Sequence, residues 1–319
     1  MSKLVIVDGN AIMHRAFHAM PPLSTPKGEP INAVHGLVSM LLKIIQDVKP
    51  THLAICFDEK EKTFRQKELP TYQAQRPPMV MELVSQFVKA REFLKTAKIP
   101  VYSMGGYEAD DVIGTIASTA VGLQTTDHSN KKAVDRSLST IDGVVIATGD
   151  RDILQLVDDK LGIKLYMPIA GLINAKLYGD KETVERMGVV PKLIPDYKGL
   201  VGDASDNYFG VPGIGPKTAI TLLSEYGDFE NIYKHLDKIT GKTKEKLEKG
   251  KESGFLSFKL ATIVTNVPVK IDFNEMEKWN LGSPEVIKLF TEKFGFKTLT
   301  QRIIAVSKKI EDEKQMSLL

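Results

Sequence analysis

Lys3-Leu4-Val5-Ile6-Val7-Asp8-Gly9-Asn10 is a short apolar, β-branched run that ends on an acid and a turn pair. An uninterrupted apolar run of this length reads as a strand buried on both faces. Two more runs end in the same way. Thr51–Phe57 meets Asp58, and Gly143–Ala147 meets Thr148-Gly149-Asp150-Arg151-Asp152. Pro100–Met104 is a further strand, followed by Glu108-Ala109-Asp110-Asp111 at a helix start. Between the strands, Val34, Leu37, Val38, Leu41, Ile45 and Val48 recur at helical spacing over Asn32–Val48, and Met79, Leu83, Phe87, Ala90, Leu94 and Ala97 do so over Pro78–Lys98. Glu108–Val121 makes a third helix. Parallel neighbours need crossover helices, so this alternation predicts an α/β domain with a mostly parallel sheet over residues 1–180.

Open parallel sheets bind ligands at the carboxyl edge of their strands. Asp8, Asp58, Asp150, Asp152 and the Glu108/Asp110/Asp111 group all fall at that edge, with Glu108 and Asp111 sharing a helix face at i, i+3. Gly202-Asp203-Ala204-Ser205-Asp206-Asn207 repeats the spacing where strand signals give way to short helices. Any one of these acids also reads as a turn or cap residue, because a short carboxylate bonds nearby amides. Five groups at one edge favour a shared site. Crowded carboxylates repel and take up protons unless a cation neutralises them. Oxygen-only donors suit Mg²⁺, with Mn²⁺ as a substitute, and no His/Cys spacing supports zinc. Two such ions about 4 Å apart can activate water and stabilise the leaving oxygen of a phosphodiester.

The 319 residues suggest roughly two domains. Apolar residues make up 42% and charged residues 26%, which excludes a disordered chain. A single cysteine, Cys56, excludes an internal disulfide and fits a reducing compartment. Leu4–Val7 is too short for a secretory apolar core, and no run approaches the ~20 apolar residues of a membrane span. The expectation is a cytoplasmic monomer that makes no membrane contact. The net charge of +3 hides segregation: with nine carboxylates gathered in one site, 43 basic residues face the 31 remaining acids, a surplus of 12. An acidic pocket on a basic body suits a metal-dependent nuclease.

Lys60–Arg76 (KEKTFRQKELPTYQAQR) follows Asp58 and carries Arg65, Lys67 and Arg76 for phosphate and Tyr72 for base stacking; alternatively it is a solvated charged helix. Residues 181–300 read as a smaller helical domain of short segments broken by Gly and Pro, with a basic stretch at Lys238–Lys251. Within it, Gly210-Val211-Pro212-Gly213-Ile214-Gly215-Pro216-Lys217-Thr218-Ala219 invites a P-loop reading. That reading fails, since Pro216 separates Gly215 from Lys217 and no strand precedes. A helix–hairpin–helix fits instead: tight Gly turns bring backbone amides to a phosphate at a helix start, and Lys217 adds charge. Residues 122–142 read as a long polar loop, and 301–319 as a flexible tail that frays from about Ser307.

Together these residues resemble the 5′-nuclease superfamily, in particular the 5′→3′ exonuclease (flap endonuclease) domain of bacterial DNA polymerase I. VDGN, TFR with a downstream Tyr and Arg, GYEADDVIG, TGDRD, and GDASDN followed by GVPGIGPKTA occur in the family's order over residues 3–300. The resemblance implies a PIN-like or resolvase-like sheet and two metal sites, one of Asp8, Asp58, Glu108, Asp110 and Asp111, the other of Asp150, Asp152, Asp203 and Asp206. It implies that Arg65 and Arg76 flank the scissile phosphate, that Tyr72 lies beside it, that Arg15 lies on the DNA path, and that residues 65–95 form an arch for a free 5′ end. It further implies DNA contacts from Gly213, Gly215 and Lys217, K⁺ held by hairpin carbonyls, branched or 5′-flap DNA and RNA–DNA primer junctions as substrates, and roles in replication and repair. One departure stands out: Gln73 occupies the place of a lysine that usually faces the scissile phosphate, and Lys198 is a candidate to replace its charge. Gln315-Met316-Ser317-Leu318-Leu319 resembles the pentapeptide that binds the bacterial sliding clamp. No polymerase sequence follows, so a free-standing enzyme and an excised domain are both expected forms. Two rival readings remain: a branched-DNA binding protein that Gln73 has made slow or inert, and a ribonuclease of the related PIN-like fold.

Overall fold

Strands β1 (Lys3–Asp8), β2 (His52–Cys56), β3 (Val101–Tyr102), β4 (Gly143–Ala147), β5 (Ile163–Ala170) and β6 (Asn174–Tyr178) form one sheet in the order β3-β2-β1-β4-β5-β6 in the computed structural model. The model describes residues 2–122, 141–170 and 174–316, so the expected loop at 122–142 lies almost wholly outside the described residues. All pairs are parallel except β5 with β6. The four strands expected from sequence are present. The hairpin β5–β6 is additional: Pro168 inside β5 argues against a strand, and β6 is a half-exposed edge whose Tyr178 alone is fully buried. The register shifts at Pro168/Ala170, an irregularity that accommodates the missing amide.

Helices α1 (Gly9–Ala19), α2 (Asn32–Val48), α3 (Phe64–Glu68), α4 (Met81–Thr96) and α5 (Ala109–Ala120) accompany the sheet. Helices α6 (Asp180–Met187), α7 (Ile194–Val201), α8 (Pro216–Tyr226), α9 (Phe229–Lys234), α10 (Gly241–Lys249) and α11 (Lys251–Ala261) form the helical part. Helices α12 (Phe273–Met276), α13 (Pro284–Lys288) and α14 (Lys297–Met316) complete the chain. β1 divides two cores because its side chains alternate faces. Val5 and Val7 pack with residues of α1, α2, α4 and α14, and Leu4 and Ile6 join a core that runs through α5 to Leu200, Leu222 and Phe229. The helical part therefore shares its core with the sheet.

One junction settles between the two readings the sequence allowed, and two expected segments take another form. α1 starts directly after β1 without a turn, and Gly9 makes this possible, since a Cβ there would lie 2.3 Å from the Phe57 ring. The segment around 65–95 is only partly an arch. Leu83, Ala90, Phe93 and Leu94 of α4 are buried, and buried Gln86 accepts from Ala33 N at 2.7 Å at the start of α2, so what stands over the sheet edge is Phe64–Val80. The tail at 301–319 is largely the helix α14, with Ile303 fully buried and Lys49 Nζ 2.8 Å from Glu313 Oε1. Its charged outer face hides an inner stripe of Leu299, Ile303 and Val306. Gln315 and Met316 of the clamp-like pentapeptide belong to this helix, while Leu318 and Leu319 lie outside the described residues.

This register makes a paired prediction. Ile303→Ala should cost about 2–5 kcal/mol, as for a truncated core aliphatic, and Ile304→Ala, whose side chain is exposed, no more than about 0.5 kcal/mol. Equal, small effects in denaturant unfolding would return the segment to a frayed tail.

Candidate active site

The strand order reverses between β1 and β4, and the crevice outside their carboxyl ends is where a sheet of this kind holds ligands. There Asp8, Asp58, Glu108, Asp110, Asp150, Asp152 and Asp206 line a cleft of about 560 Å³. Local structure aims each acid. Asp8 Oδ1 accepts from Ala11 N at 2.9 Å and so caps α1, while its Oδ2 accepts from buried Thr148 Oγ1 at 2.7 Å. Asp58 Oδ1 accepts from Ala109 N at 2.7 Å at the start of α5, and Asp58 N donates to Asn10 Oδ1 at 3.1 Å. Asp150 Oδ1 accepts from Asp152 N at 2.8 Å, and Asp150 N donates to Thr148 Oγ1 at 3.0 Å. Helix starts thus point amide dipoles at the acids. Asn10 and Thr148 lie inside motifs read from the sequence, yet nothing in the spacing marks them as the groups that orient Asp58 and Asp8.

Burial dominates the electrostatics. It pushes Asp8 up to about 7, with Asp58 and Asp150 adding repulsion against the hydrogen bonds from Ala11 and Thr148. It pushes Glu108 up to about 7 in spite of Arg65, and Asp152 up to about 6 in spite of Lys198. Asp110 is raised as well, chiefly by burial, and also feels Asp150 and Asp8; Asp58 is exposed at the cleft wall, and crowding by cleft atoms and by Asp111 raises it. Asp203 departs downward: burial alone would raise it, but Lys198 and Ser205 hold it below the usual carboxylate range. Oxygens of Asp152, Asp203 and Asp206 lie within 4.8 Å of one another. Buried carboxylates that repel one another, with no soft donor among them, are a donor set for a hard divalent cation, so these residues fit Mg²⁺ or Mn²⁺.

Four residues sit in surroundings other than those their expected roles imply. Asp111 is fully buried, and its four acceptor positions go to Arg65 at 2.7 and 2.9 Å, Glu108 N at 3.1 Å and Val264 N at 2.9 Å. A carboxylate satisfied on both oxygens has no lone pair left for a metal. Arg65, 2% exposed, spends its other donors on Leu260 O at 2.8 Å and Thr262 O at 2.9 Å, so it ties α3 to α5 and the end of α11 and does not face a phosphate. Tyr72 is buried, its ring parallel to Tyr208 and its hydroxyl donating to Asp206 at 3.1 Å, so its face is closed to a base. Lys198 is buried, and its ammonium bonds Asp152 and Asp203; it contacts the second carboxylate group where a DNA contact was expected. Arg76 and Gln73 do reach the cleft, donating to Asp206 Oδ1 at 2.5 and 3.2 Å. Arg15, on α1, lies beside Gly149 at the end of β4.

Residues 3–188 match the family model of the 5′-3′ exonuclease N-terminal, resolvase-like domain, and residues 189–283 that of the 5′-3′ exonuclease C-terminal SAM fold. The chain belongs to the 5′-3′ exonuclease family. It is 35% identical over 289 residues to a 5′-3′ exonuclease of Aquifex aeolicus, covering 91% of this chain and 90% of that one. It is 39% identical over 303 residues to DNA polymerase I of Caldicellulosiruptor bescii, covering 94% of this chain and 33% of that one. The chain thus spans about a third of the DNA polymerase I relatives it matches. Two solved structures share the fold. The flap endonuclease of bacteriophage T5, in a complex with DNA and metal ions, superposes with a TM-score of 0.63 at 19% identity, over 96% of this chain and 99% of that one. The catalytic core of Rad2 with DNA substrate gives 0.56 at 14% identity, over 96% and 91%.

The exonuclease SAM-fold half presents the Gly-rich hairpin. Gly202 and Gly210 sit back to back at φ +77° and +62°, and a Cβ on Gly210 would come within 2.4 Å of Gly202 N, so both must be glycine. This contact ties the Asp203–Asp206 loop to the hairpin. Gly215 precedes α8, which has no side-chain cap and begins Pro216-Lys217, with Lys217 exposed. Where hairpin carbonyls were expected to face K⁺, Gly213 O accepts from Lys246 Nζ at 2.8 Å, so an ammonium covers that carbonyl.

Two predictions follow from this geometry. Arg65→Lys keeps the charge but loses the two-pronged pair, and should cost about 1.5–3 kcal/mol in unfolding, the worth of a charge-assisted hydrogen bond. A stability unchanged within about 0.5 kcal/mol would return Arg65 to phosphate contact. The raised carboxylates also fix a pH dependence. With Asp8 and Glu108 at about 7 and Asp152 at about 6, the folded state binds more protons than the unfolded one above about pH 4. Their stabilisation is complete at low pH and fades as pH climbs through about 6–7. Asp203 contributes nothing to this window because it is ionised throughout. The metal-free thermal midpoint should therefore fall between about pH 5 and 8, and Mg²⁺ should restore it most at pH 8. A Mg²⁺ increment that does not grow with pH would exclude these acids as ligands.

Proposed function

We propose that this chain is a divalent-metal-dependent 5′ nuclease that hydrolyses phosphodiesters at DNA 5′ ends and at 5′-flap junctions, leaving a 5′-phosphate and a 3′-hydroxyl. The observation that carries the proposal is the convergence of Asp8, Asp58, Glu108, Asp110, Asp150, Asp152 and Asp206 on one cleft beneath the segment Phe64–Val80. Asp8, Asp58, Glu108 and Asp110 would hold one Mg²⁺, and Asp152, Asp203 and Asp206 a second, with Asp150, whose Oδ1 meets Asp152 N, on the second group's side. When bound, these ions supply activation of water and neutralisation of phosphodiester charge. The chain's own residues do the positioning. Thr148 and Asn10 fix Asp8 and Asp58, Arg65 anchors the segment above the cleft, and half-exposed Arg76 presents a guanidinium at its mouth.

Duplex DNA is anchored away from the chemistry. The amides at the start of α8 and Lys217 meet backbone phosphate without reading sequence. Exposed Lys242, Lys246 and Lys249 of α10 extend the basic face beside the hairpin. The same chemistry fits RNA–DNA primer junctions in replication and repair, in a cytoplasmic setting. A sliding clamp gripping Gln315, Met316, Leu318 and Leu319 would have to unwind the end of α14 to do so. A second reading, a branched-DNA binding protein, is favoured by Gln73, which brings an uncharged amide to Asp206 where the family's lysine would bring charge.

A 3′-labelled double-flap substrate with Mg²⁺ separates the two. Cleavage next to the junction is expected, lost in Asp150→Ala and weak on a blunt duplex; tight binding with no cleavage in Mg²⁺ or Mn²⁺ would select the binding protein. Gln73→Lys should raise the single-turnover rate by up to about 10²-fold, the worth of one preorganised charged donor. An unchanged rate would show that Gln73 is no handicap.

A further inference from the structure

We infer that Lys198 is a built-in counter-cation of the second carboxylate group, and that a divalent ion enters that group only by displacing it. The inference rests on the two-metal reading above but concerns a residue to which that reading gives no role. Lys198 rises from α7 one turn before Gly202, with its stem buried and its side chain 8% exposed. Its Nζ donates to Asp203 Oδ2 at 2.5 Å and to Asp152 Oδ1. Those are two of the three carboxylates whose oxygens lie within 4.8 Å of one another. The third, Asp206, accepts from Arg76 at 2.5 Å, Gln73 at 3.2 Å and Tyr72 at 3.1 Å. Three negative charges are thus met by two cations of the chain itself.

The first group is met differently. Asp8 and Asp58 receive backbone amides and the Thr148 hydroxyl, which orient a carboxylate without cancelling its charge. The one cation paired in this group among the described residues, Arg65, meets Glu108 at 3.3 Å while its other donors hold Asp111, Leu260 and Thr262. An ammonium and a divalent ion cannot share the same two oxygens, since like charges at that separation repel strongly in a buried site. The two groups therefore differ in their hold on a metal: the first is open to it, and the second is guarded. The displaced ammonium has somewhere to go, because Lys198 also lines a cleft of about 650 Å³ beside Arg151, Arg186 and Asp150. Guarding gives the fold a way to stay intact at low metal, when three buried carboxylates would otherwise repel.

The test is Mn²⁺ binding to the full chain without DNA, read by electron paramagnetic resonance of free Mn²⁺, beside thermal unfolding. Wild type should show a tight class and a weaker one, the weaker absent in Asp152→Asn. Lys198→Met, similar in length and uncharged, should tighten the weaker class by about 10-fold or more. It should also lower the metal-free midpoint and recover more on Mn²⁺ addition than wild type does. Lys198→Gln, which keeps a donor, should shift both in the same direction by less, and serves if the Met variant does not fold. Unchanged Mn²⁺ affinity in both variants, or a lowered midpoint without extra recovery by Mn²⁺, would overturn the inference and leave the metal reading standing. No Asp152-dependent binding in wild type or variants would overturn both.

Discussion

A carboxylate taken out of water must find charge or hydrogen bonds, or give up its ionisation, and this fold brings nine acids to one cleft, of which Glu59 and Glu61 stay exposed. The surrounding structure can be understood as a set of answers to that cost. Sheet order supplies the place, because β1 and β4 diverge into a crevice at their carboxyl ends. Helix starts supply the first answer: Asp8 accepts at the start of α1 and Asp58 at the start of α5. Internal cations supply the second, Arg65 for Asp111 and Lys198 for Asp152 and Asp203. What remains uncompensated pushes Asp8 and Glu108 up to about 7 and raises Asp110 as well, and a divalent ion would remove that remainder.

Capping and ligation are usually weighed as competing explanations of an acid after a strand. Here one side chain caps and still turns an oxygen to the cleft. Asp8 gives Oδ1 to Ala11 N and keeps Oδ2 toward Thr148 at the head of the cleft. Asp58 does likewise through Ala109 N. The cap fixes the rotamer, and a fixed rotamer is what a metal or a phosphodiester requires of its partner. Asp111 shows the opposite outcome within the same motif: one residue on from Asp110, it faces Arg65 and becomes wholly structural.

This contrast explains what was legible in the sequence. Continuous apolar runs ending in acids gave four strands and the sheet edge, because a buried parallel strand leaves an unbroken hydrophobic pattern. The edge hairpin β5–β6 was not legible, since its pattern is diluted by Pro168 and by solvent on β6. Family motifs place Asp8, Asp58, Asp110, Asp150 and Asp206 at the site, but a motif lists residues and not where they point. Arg65 and Lys198 read as basic residues near phosphate, yet their heads are bound to Asp111 and to Asp152 and Asp203. Only tertiary packing decides whether a cation beside an acid is free or spent. In α14 a charged outer face outweighs a three-residue buried stripe in any local average.

The segment above the cleft then carries a consequence for access. Tyr72, Gln73 and Arg76 all close on Asp206, and Gln73 does so from φ +55° with its own amide on Asp206 O at 3.0 Å. A non-glycine residue in that region is strained, so the conformation is held by the contacts to Asp206 and not by local preference. A ligand that takes the Asp206 carboxylate would compete with the three side-chain contacts, while the bonds from Gln73 N to Asp206 O, Gln75 to Ala204 O and Asn207 to Thr71 O would still tie the segment to the loop. Under the two-metal proposal, a metal at Asp206 would therefore be opposed by the same side-chain hydrogen bonds that hold Arg76. The two ends of the segment are held unequally: Arg65 anchors the α3 end through four hydrogen bonds to Asp111, Leu260 and Thr262, inside a buried ion pair, whereas Arg76 holds the other end through a half-exposed pair with Asp206, which water weakens.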